Sequence, residues 1–226
     1  MHIIEIYRSI QGESSFSGLP CIFVRLAGCN LRCTWCDSEY TFSGGEKMSA
    51  AEIEAEVERL APSGLIEFTG GEPMLQEREL VSLMSRFLEK GYTLLLETSG
   101  ERPLDNVPAE VHKIVDVKCP GSGEAGTFRM SNLQCFSRND EVKFVLADRA
   151  DYEFARDFIR VHGLEKAVNS VILSPAFEKN PGARRDSSNC VLDPRLLAEW
   201  ILQDKLGVRL GLQIHKFIWE PAAKGV

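Results

Sequence analysis

Three cysteines fall close together in Cys29-Asn30-Leu31-Arg32-Cys33-Thr34-Trp35-Cys36, and the spacing C-x3-C-x2-C lets one short loop wrap three thiolates around a single centre. Thiolates are soft ligands that select zinc or iron–sulfur centres over hard ions. A closed structural site needs a fourth ligand nearby, whereas the next cysteine is Cys119 and the next histidine His112. Three ligands leave one metal position open, which is what a reaction at the metal requires: a small molecule carrying an amine and a carboxylate can chelate the free iron. On the cysteines alone, a zinc knuckle with a distant fourth ligand and a set of buried inert thiols stay open as readings. Cys21, Cys119, Cys135 and Cys190 have no partner spacing, and an odd total of 7 in a chain of this size argues for reduced thiols over a disulfide framework.

A second motif, Gly70-Gly71-Glu72-Pro73, follows an apolar run at 65–68. Glycines permit close backbone approach and a carboxylate pairs with an ammonium, although the tetrapeptide in isolation is also compatible with a plain turn. The elements that would carry both motifs are legible. Short β-branched or aliphatic runs at 3–7, 21–26, 65–68, 92–97, 111–117, 141–146, 170–173 and 208–214 are expected strands. Helical spacing is expected over 50–60, opened by a Ser49/Glu52 capping box, over 76–90 with Gly91 as the stop, over 152–161 before Gly163, and over 194–206. Asp193 caps the last of these, Pro194 starts it and Gly207 is its expected end.

Strands alternating with helices predict parallel β-α units, whose chemistry gathers at the C-terminal strand ends. The cysteines, Gly70–Pro73, Thr98-Ser99-Gly100 and Lys118 each follow an expected strand, so all fall at one rim. Connections such as 121–127 are rich in Gly and Ser, with crossover helices reduced or missing, so the fold expected is α/β, an incomplete β/α barrel in one domain over 1–226. Hydrophobic content of 44% supports one sizeable core. A net charge of −7 argues against binding nucleic acid or an anionic membrane, no apolar run approaches a membrane span, and the N-terminus has no basic-then-apolar leader, so a cytoplasmic protein is expected.

The three-cysteine loop followed by Gly-Gly-Glu-Pro on the next strand end resembles the radical S-adenosylmethionine superfamily. More narrowly, Ile6 to Ser14, Phe23 to Leu31, Cys36-Asp37-Ser38, Glu97 to Gly100, Asp116-Val117-Lys118, Ser174-Pro175, Gln213 to Lys216 and Gly225-Val226 are similar to the 7-carboxy-7-deazaguanine synthase family. The resemblance implies a [4Fe–4S] cluster on Cys29, Cys33 and Cys36, S-adenosylmethionine as cofactor, and a Mg²⁺ ion on the Ser38 hydroxyl. It implies conversion of 6-carboxy-5,6,7,8-tetrahydropterin to 7-carboxy-7-deazaguanine, by hydrogen abstraction, ring contraction and ammonia loss, toward queuosine and related 7-deazapurines. Homodimers and an external electron donor, which the sequence does not identify, come with it.

By motif, the resemblance assigns the pterin to Ile10, Gln11, Gly12, Glu13, Arg25, Thr98, His215 and the Val226 carboxylate. It assigns S-adenosylmethionine to Trp35, Asp37, Gly70, Gly71, Glu72, Pro73, Gly100, Asp116, Lys118, Ser174, Pro175, Ala176 and Phe177. The residue types suit these roles, since a carboxylate such as Glu13 accepts from two pterin N–H donors and the Arg25 fork matches a carboxylate. Bland readings stand beside them: a structural ion pair for Arg25, a turn cap for Glu13, a turn hydroxyl for Ser38, a satisfied histidine for His215, and mutual pairing for Asp116 and Lys118. Trp35 packs on the cluster loop in either reading. The rivals are an activating enzyme for a glycyl-radical protein, against which Gln11-Gly12-Glu13 before Arg25 argues, and a non-catalytic iron–sulfur or zinc module, which leaves Gly70–Pro73 unexplained.

Overall fold

The computed structural model describes residues 1–179, 184–220 and 223–225. Its strands form one nine-stranded sheet in the order β3-β1-β2-β4-β5-β6-β7-β8-β9. β1 (His2–Ile10) runs antiparallel to β2 (Pro20–Leu26) and to the short β3 (Glu46–Lys47). From β2 onward every pairing is parallel, through β4 (Leu65–Gly70), β5 (Thr93–Thr98), β6 (His112–Asp116), β7 (Glu141–Leu146), β8 (Ser170–Pro175) and β9 (Arg209–Leu210). The terminal strands of that order do not pair with each other, so the barrel is open, as the sequence leads one to expect.

Helices α1 (Ala50–Arg59), α2 (Glu77–Glu89), α3 (Arg149–His162), α4 (Leu164–Ala167) and α5 (Pro194–Asp204) cross over between strands, and α6 (His215–Ile218) follows β9. Between β5 and β6, and between β6 and β7, only loops and 3-10 turns intervene, which are the reduced crossovers anticipated above. Among the described residues no helix is long and apolar enough to cross a membrane. The Ser49/Glu52 capping box forms, and Gly91 and Gly163 end α2 and α3 with φ of +83° and +60°.

Two expectations change. α5 ends at Lys205, which adopts φ +52°, rather than at Gly207. Gly207 is spent on proximity: its N–H donates to Glu165 Oε1 at 2.5 Å, and a Cβ there would sit 2.9 Å from that oxygen. The strand expected over 208–214 is cut to Arg209–Leu210, because Gly211 tucks against Ile172 and Ser174 and the chain turns inward to α6.

Alternation along the strands makes two apolar layers. Side chains such as Val24, Phe68, Leu96 and Phe144 face outward onto Ile53, Leu83, Phe87 and Tyr152 of the helices. Cys21, Phe23, Leu65, Leu95 and Ile114 face the lumen and, with Tyr7 and Phe16, fill its lower half. The loop after β1 spans the opening that the sheet leaves: Gly12 O accepts from Ile214 N (3.0 Å), Gln11 Nε2 donates to Glu67 on β4 (2.9 Å), and Ser15 N donates to Glu141 on β7 (3.1 Å).

The turn 119–123 carries core order to the rim. Asp151, fully buried at the start of α3, accepts from Gly121 N (2.7 Å) and Ala147 N (2.9 Å), and Ser122 O accepts from Thr34 N of the cysteine loop (2.9 Å). Asp151→Ala strands two N–H donors and is expected to lower unfolding free energy by about 3 kcal/mol in a denaturant titration.

Candidate active site

The cysteine loop hangs from the end of β2 and is clamped from both sides. Gly28 N donates to Thr41 O (2.7 Å), while Arg32 Nη1 returns to Cys29 O (2.9 Å) and its guanidinium lies 4.1 Å over the Phe42 ring. The end of β4 presses against its other side: Glu72 N donates to Gly28 O at 2.8 Å and Gly71 N to Leu26 O at 3.3 Å. A Cβ on Gly71 would stand 2.3 Å from Gly28 O and 2.7 Å from Cys29 Cβ. The glycine pair is therefore required first by protein against protein, before any ligand is considered.

Glu72 is 1% exposed and its carboxylate is fully engaged: Oε1 accepts from Thr98 Oγ1 (2.7 Å) and Met74 N (3.0 Å), and Oε2 from Ser99 N (2.8 Å) and Ser99 Oγ (2.7 Å). The carboxylate ties the ends of β4 and β5 together, and Thr98 spends its hydroxyl proton on it. What this strand end still offers a ligand is backbone.

Below the rim the lumen is charged. Glu13 Oε2 and Glu97 Oε1 each lie 2.6 Å from Lys143 Nζ, and Gln213 Nε2 donates to Glu13 Oε1 at 2.8 Å. Burial works against the Glu13 carboxylate, but the Lys143 ammonium beside it outweighs burial and holds its pKa well below the usual range. Glu97 is pushed up to about 8 and Glu67 to about 7, in both cases by burial first and by neighbouring carboxylates. Gln11 gives Nε2 to Glu67 and its Oε1 to Glu13 N (2.7 Å) and Ser14 N (3.1 Å), keeping one N–H for another partner. Arg25 places Nε on Glu5 and one Nη on Tyr7, both at 2.8 Å, so the structural ion pair is real and part of the fork is left over. His215 is lowered by burial toward the neutral imidazole, with Gly12 against its ring: a Cβ on Gly12 would fall 2.2 Å from Nδ1.

All of this opens into one cavity of about 260 Å³. Cys29, Cys33 and Cys36 line it, as do Trp35, Asp37, Ser38, Gly70, Gly71, Glu72, Asp116, Lys118 and Phe177, and so do Ile10, Gln11, Gly12, Glu13, Arg25, Thr98 and His215. Pro73, Gly100, Ser174, Pro175 and Ala176 do not line it, and Val226 lies outside the described residues. Among the described residues no three His, Cys, Asp or Glu side chains converge to hold a single metal ion. A four-iron cluster asks for something else: each thiolate binds its own iron, so the three must face a shared space. The three cysteines are free, partly exposed and face such a space. Burial raises the Cys29 and Cys33 thiols, opposed at Cys33 by the Lys118 ammonium. Lys118 pairs with Asp116 Oδ2 at 2.8 Å, yet Asp116 Oδ1 is buried with no partner, an acceptor that suits a hydroxyl or amine donor of a bound cofactor.

Comparison with known proteins gives this site its family. The Radical SAM superfamily model matches residues 24–120. The 7-carboxy-7-deazaguanine synthase of Koribacter versatilis (strain Ellin345) is 66% identical over 226 residues, covering 100% of both chains. The chain belongs to the 7-carboxy-7-deazaguanine synthase family. Another member, from Chlorobaculum tepidum, is 42% identical over 232 residues, covering 100% of this chain and 97% of the other. The crystal structure of QueE from Escherichia coli superposes with a TM-score of 0.72 at 23% identity, over 94% of this chain and 93% of that one, a likeness of fold. Membership in the 7-carboxy-7-deazaguanine synthase family makes the chain a radical S-adenosylmethionine enzyme, with a [4Fe–4S] cluster and S-adenosylmethionine as its cofactors.

For a 7-carboxy-7-deazaguanine synthase site, motif reading missed the lining residues Glu67, Thr69 and Lys143, and it gave no site role to Glu97, Gln213 and Lys216, which lie inside the quoted motifs. The available signal was a charge at the lumen phase of an otherwise apolar strand, as in Leu65-Ile66-Glu67-Phe68 and Val142-Lys143-Phe144. Lys216, 5% exposed, pairs with Asp37 at 2.6 Å and lies 4.8 Å over the Phe177 ring, so Asp37 is committed to α6. Gly71→Ala is expected to displace Cys29 and strip most of the iron and sulfide retained per chain, by metal analysis, while far-ultraviolet circular dichroism is unchanged.

Proposed function

We propose that the chain converts 6-carboxy-5,6,7,8-tetrahydropterin to 7-carboxy-7-deazaguanine in the cavity described above, with ring contraction and loss of ammonia. The observation that carries this reading is the cavity in which three free thiols meet a frame of Glu13, Arg25, Gln11 and His215. Full-length relatives named 7-carboxy-7-deazaguanine synthase support it. When bound to Cys29, Cys33 and Cys36, the cluster and S-adenosylmethionine supply hydrogen-atom abstraction; the protein supplies position and exclusion of water.

The protein's own groups divide the work. Glu13, held ionised, accepts N–H donors of the pterin's amide and amine edge, and the N–H left on Gln11 serves a neighbouring acceptor. Arg25 meets the 6-carboxylate with the guanidinium N–H groups not spent on Glu5 and Tyr7. His215, kept neutral by burial, packs on Gly12 and closes that side. Asp116 Oδ1 and Lys118 face S-adenosylmethionine, with Asp37 and Trp35 on the same wall. Gly70 and Gly71 offer backbone to its methionyl group, a task the engaged Glu72 carboxylate leaves to them.

Ser38, whose Oγ lies 3.7 Å from Cys36 Sγ at the cavity wall, is the proposed Mg²⁺ ligand, with substrate oxygens and water completing the shell. The chain acts as one domain, because the cavity draws on residues from Tyr7 to Gly225 and no shorter segment encloses it. Resemblance supports a cytoplasmic homodimer reduced by an external electron donor.

The test is an anaerobic assay of the reconstituted protein with S-adenosylmethionine, a reductant and the tetrahydropterin, following 7-carboxy-7-deazaguanine by mass. Product is expected, and Cys33→Ala should abolish it. Formation of 5′-deoxyadenosine without product would overturn the pterin assignment. Arg25→Lys, which keeps charge and loses the fork, is expected to raise KM for the pterin about tenfold, ~1.4 kcal/mol, in steady-state kinetics.

A further inference from the structure

Carboxylates from four elements meet in the lumen. Glu13 from the loop after β1, Glu67 from β4, Glu97 from β5 and Asp116 from β6 all line the cavity. Arg25 on β2 is committed to Glu5, Lys118 to Asp116, and Lys216 on α6 to Asp37; His215 contributes a lowered, neutral ring. Lys143 on β7 is 5% exposed and lies 2.6 Å from Glu13 and 2.6 Å from Glu97, partners 130 and 46 residues away. Two of its three N–H donors are spent on those carboxylates, so its action falls on them.

We propose that Lys143 is a positioning residue of the site: by bridging Glu13 and Glu97 it fixes the Glu13 carboxylate in the place that receives the N–H edge of the pterin. The identity of the ligand rests on the reading above; the bridge does not. Gln213 fixes the remaining Glu13 oxygen at 2.8 Å, so the loop after β1, β5, β7 and the segment before α6 meet in one joint. Without the ammonium, Glu13 loses its counter-charge beside the half-buried Glu97, and it turns away or takes a proton. A protonated Glu13 would present a donor where the pterin also presents one. Arginine restores the charge with a longer, planar group and so recovers the frame only in part.

The experiment compares unaltered protein, Lys143→Met and Lys143→Arg, each cluster-loaded, by steady-state kinetics and by carbon-13 NMR of carboxyl-labelled glutamate, with Glu13 assigned through Glu13→Gln. Lys143→Met is expected to raise KM for the pterin about thirtyfold with kcat within about threefold, and Lys143→Arg to raise KM about fivefold. The Glu13 carboxyl should stay ionised from pH 5 to 8 in the unaltered protein and in Lys143→Arg, and titrate within that range in Lys143→Met. An unchanged KM together with a Glu13 signal that stays ionised in Lys143→Met overturns the proposal. If Lys143→Met fails to fold, an unchanged KM in Lys143→Arg overturns it. If unaltered protein makes no product, the pterin reading fails, and the carboxyl titration still decides whether Lys143 holds Glu13.

Discussion

An open parallel sheet has a lumen that no strand closes, and here the closure is made by hydrogen bonds from the loop after β1. Gly12 reaches the backbone at Ile214, Gln11 reaches Glu67, and Glu13 reaches Lys143 and Gln213. The same three residues form the substrate side of the proposed site. Recognition and closure are thus a single constraint: the groups proposed to face the pterin are held in place by the bonds that complete the barrel. Preorganisation follows, since residues already fixed by the fold have little conformational freedom left to lose on binding.

At the rim a second joint does comparable work with backbone alone. The end of β4 approaches the cysteine loop so closely that Gly71 has no room for a side chain, and Glu72 knits β4 to the end of β5 through three accepted hydrogen bonds. Gly-Gly-Glu-Pro therefore positions the three thiols as well as offering backbone to a ligand. In this protein the glutamate carboxylate is part of the scaffold, and its neighbours Thr98 and Ser99 are its donors.

Burying several carboxylates in one lumen is costly, and the structure offsets that cost unevenly. Glu13 is paired and ionised, while Glu97 and Glu67 are pushed up to about 8 and about 7 by burial and by each other. Lys143 set between Glu13 and Glu97 leaves the cavity with acceptors and donors in close array, which suits a flat heterocycle that carries both. The apolar layer beneath, from Phe23 to Ile114, excludes water from that array.

Much of this was present in the linear sequence because it is local. The C-x3-C-x2-C spacing, the capping box at Ser49 and the helix stops at Gly91 and Gly163 are set by residues a few positions apart, and alternation of strand and helix patterns was enough to expect an incomplete barrel. Resemblance over the full length supplied the family. The tertiary structure decided what depends on contacts between residues far apart: that Lys143 answers Glu13 across 130 positions, that Arg25 divides its fork between Glu5 and the cavity, that Asp37 is committed to Lys216, and that Gly207 serves Glu165 while Lys205 ends α5. The reason is physical. Propensity and periodicity act over a few residues, whereas pairing of buried charges and the steric need for a glycine are fixed by which strands become neighbours, and that is known only once the sheet has formed.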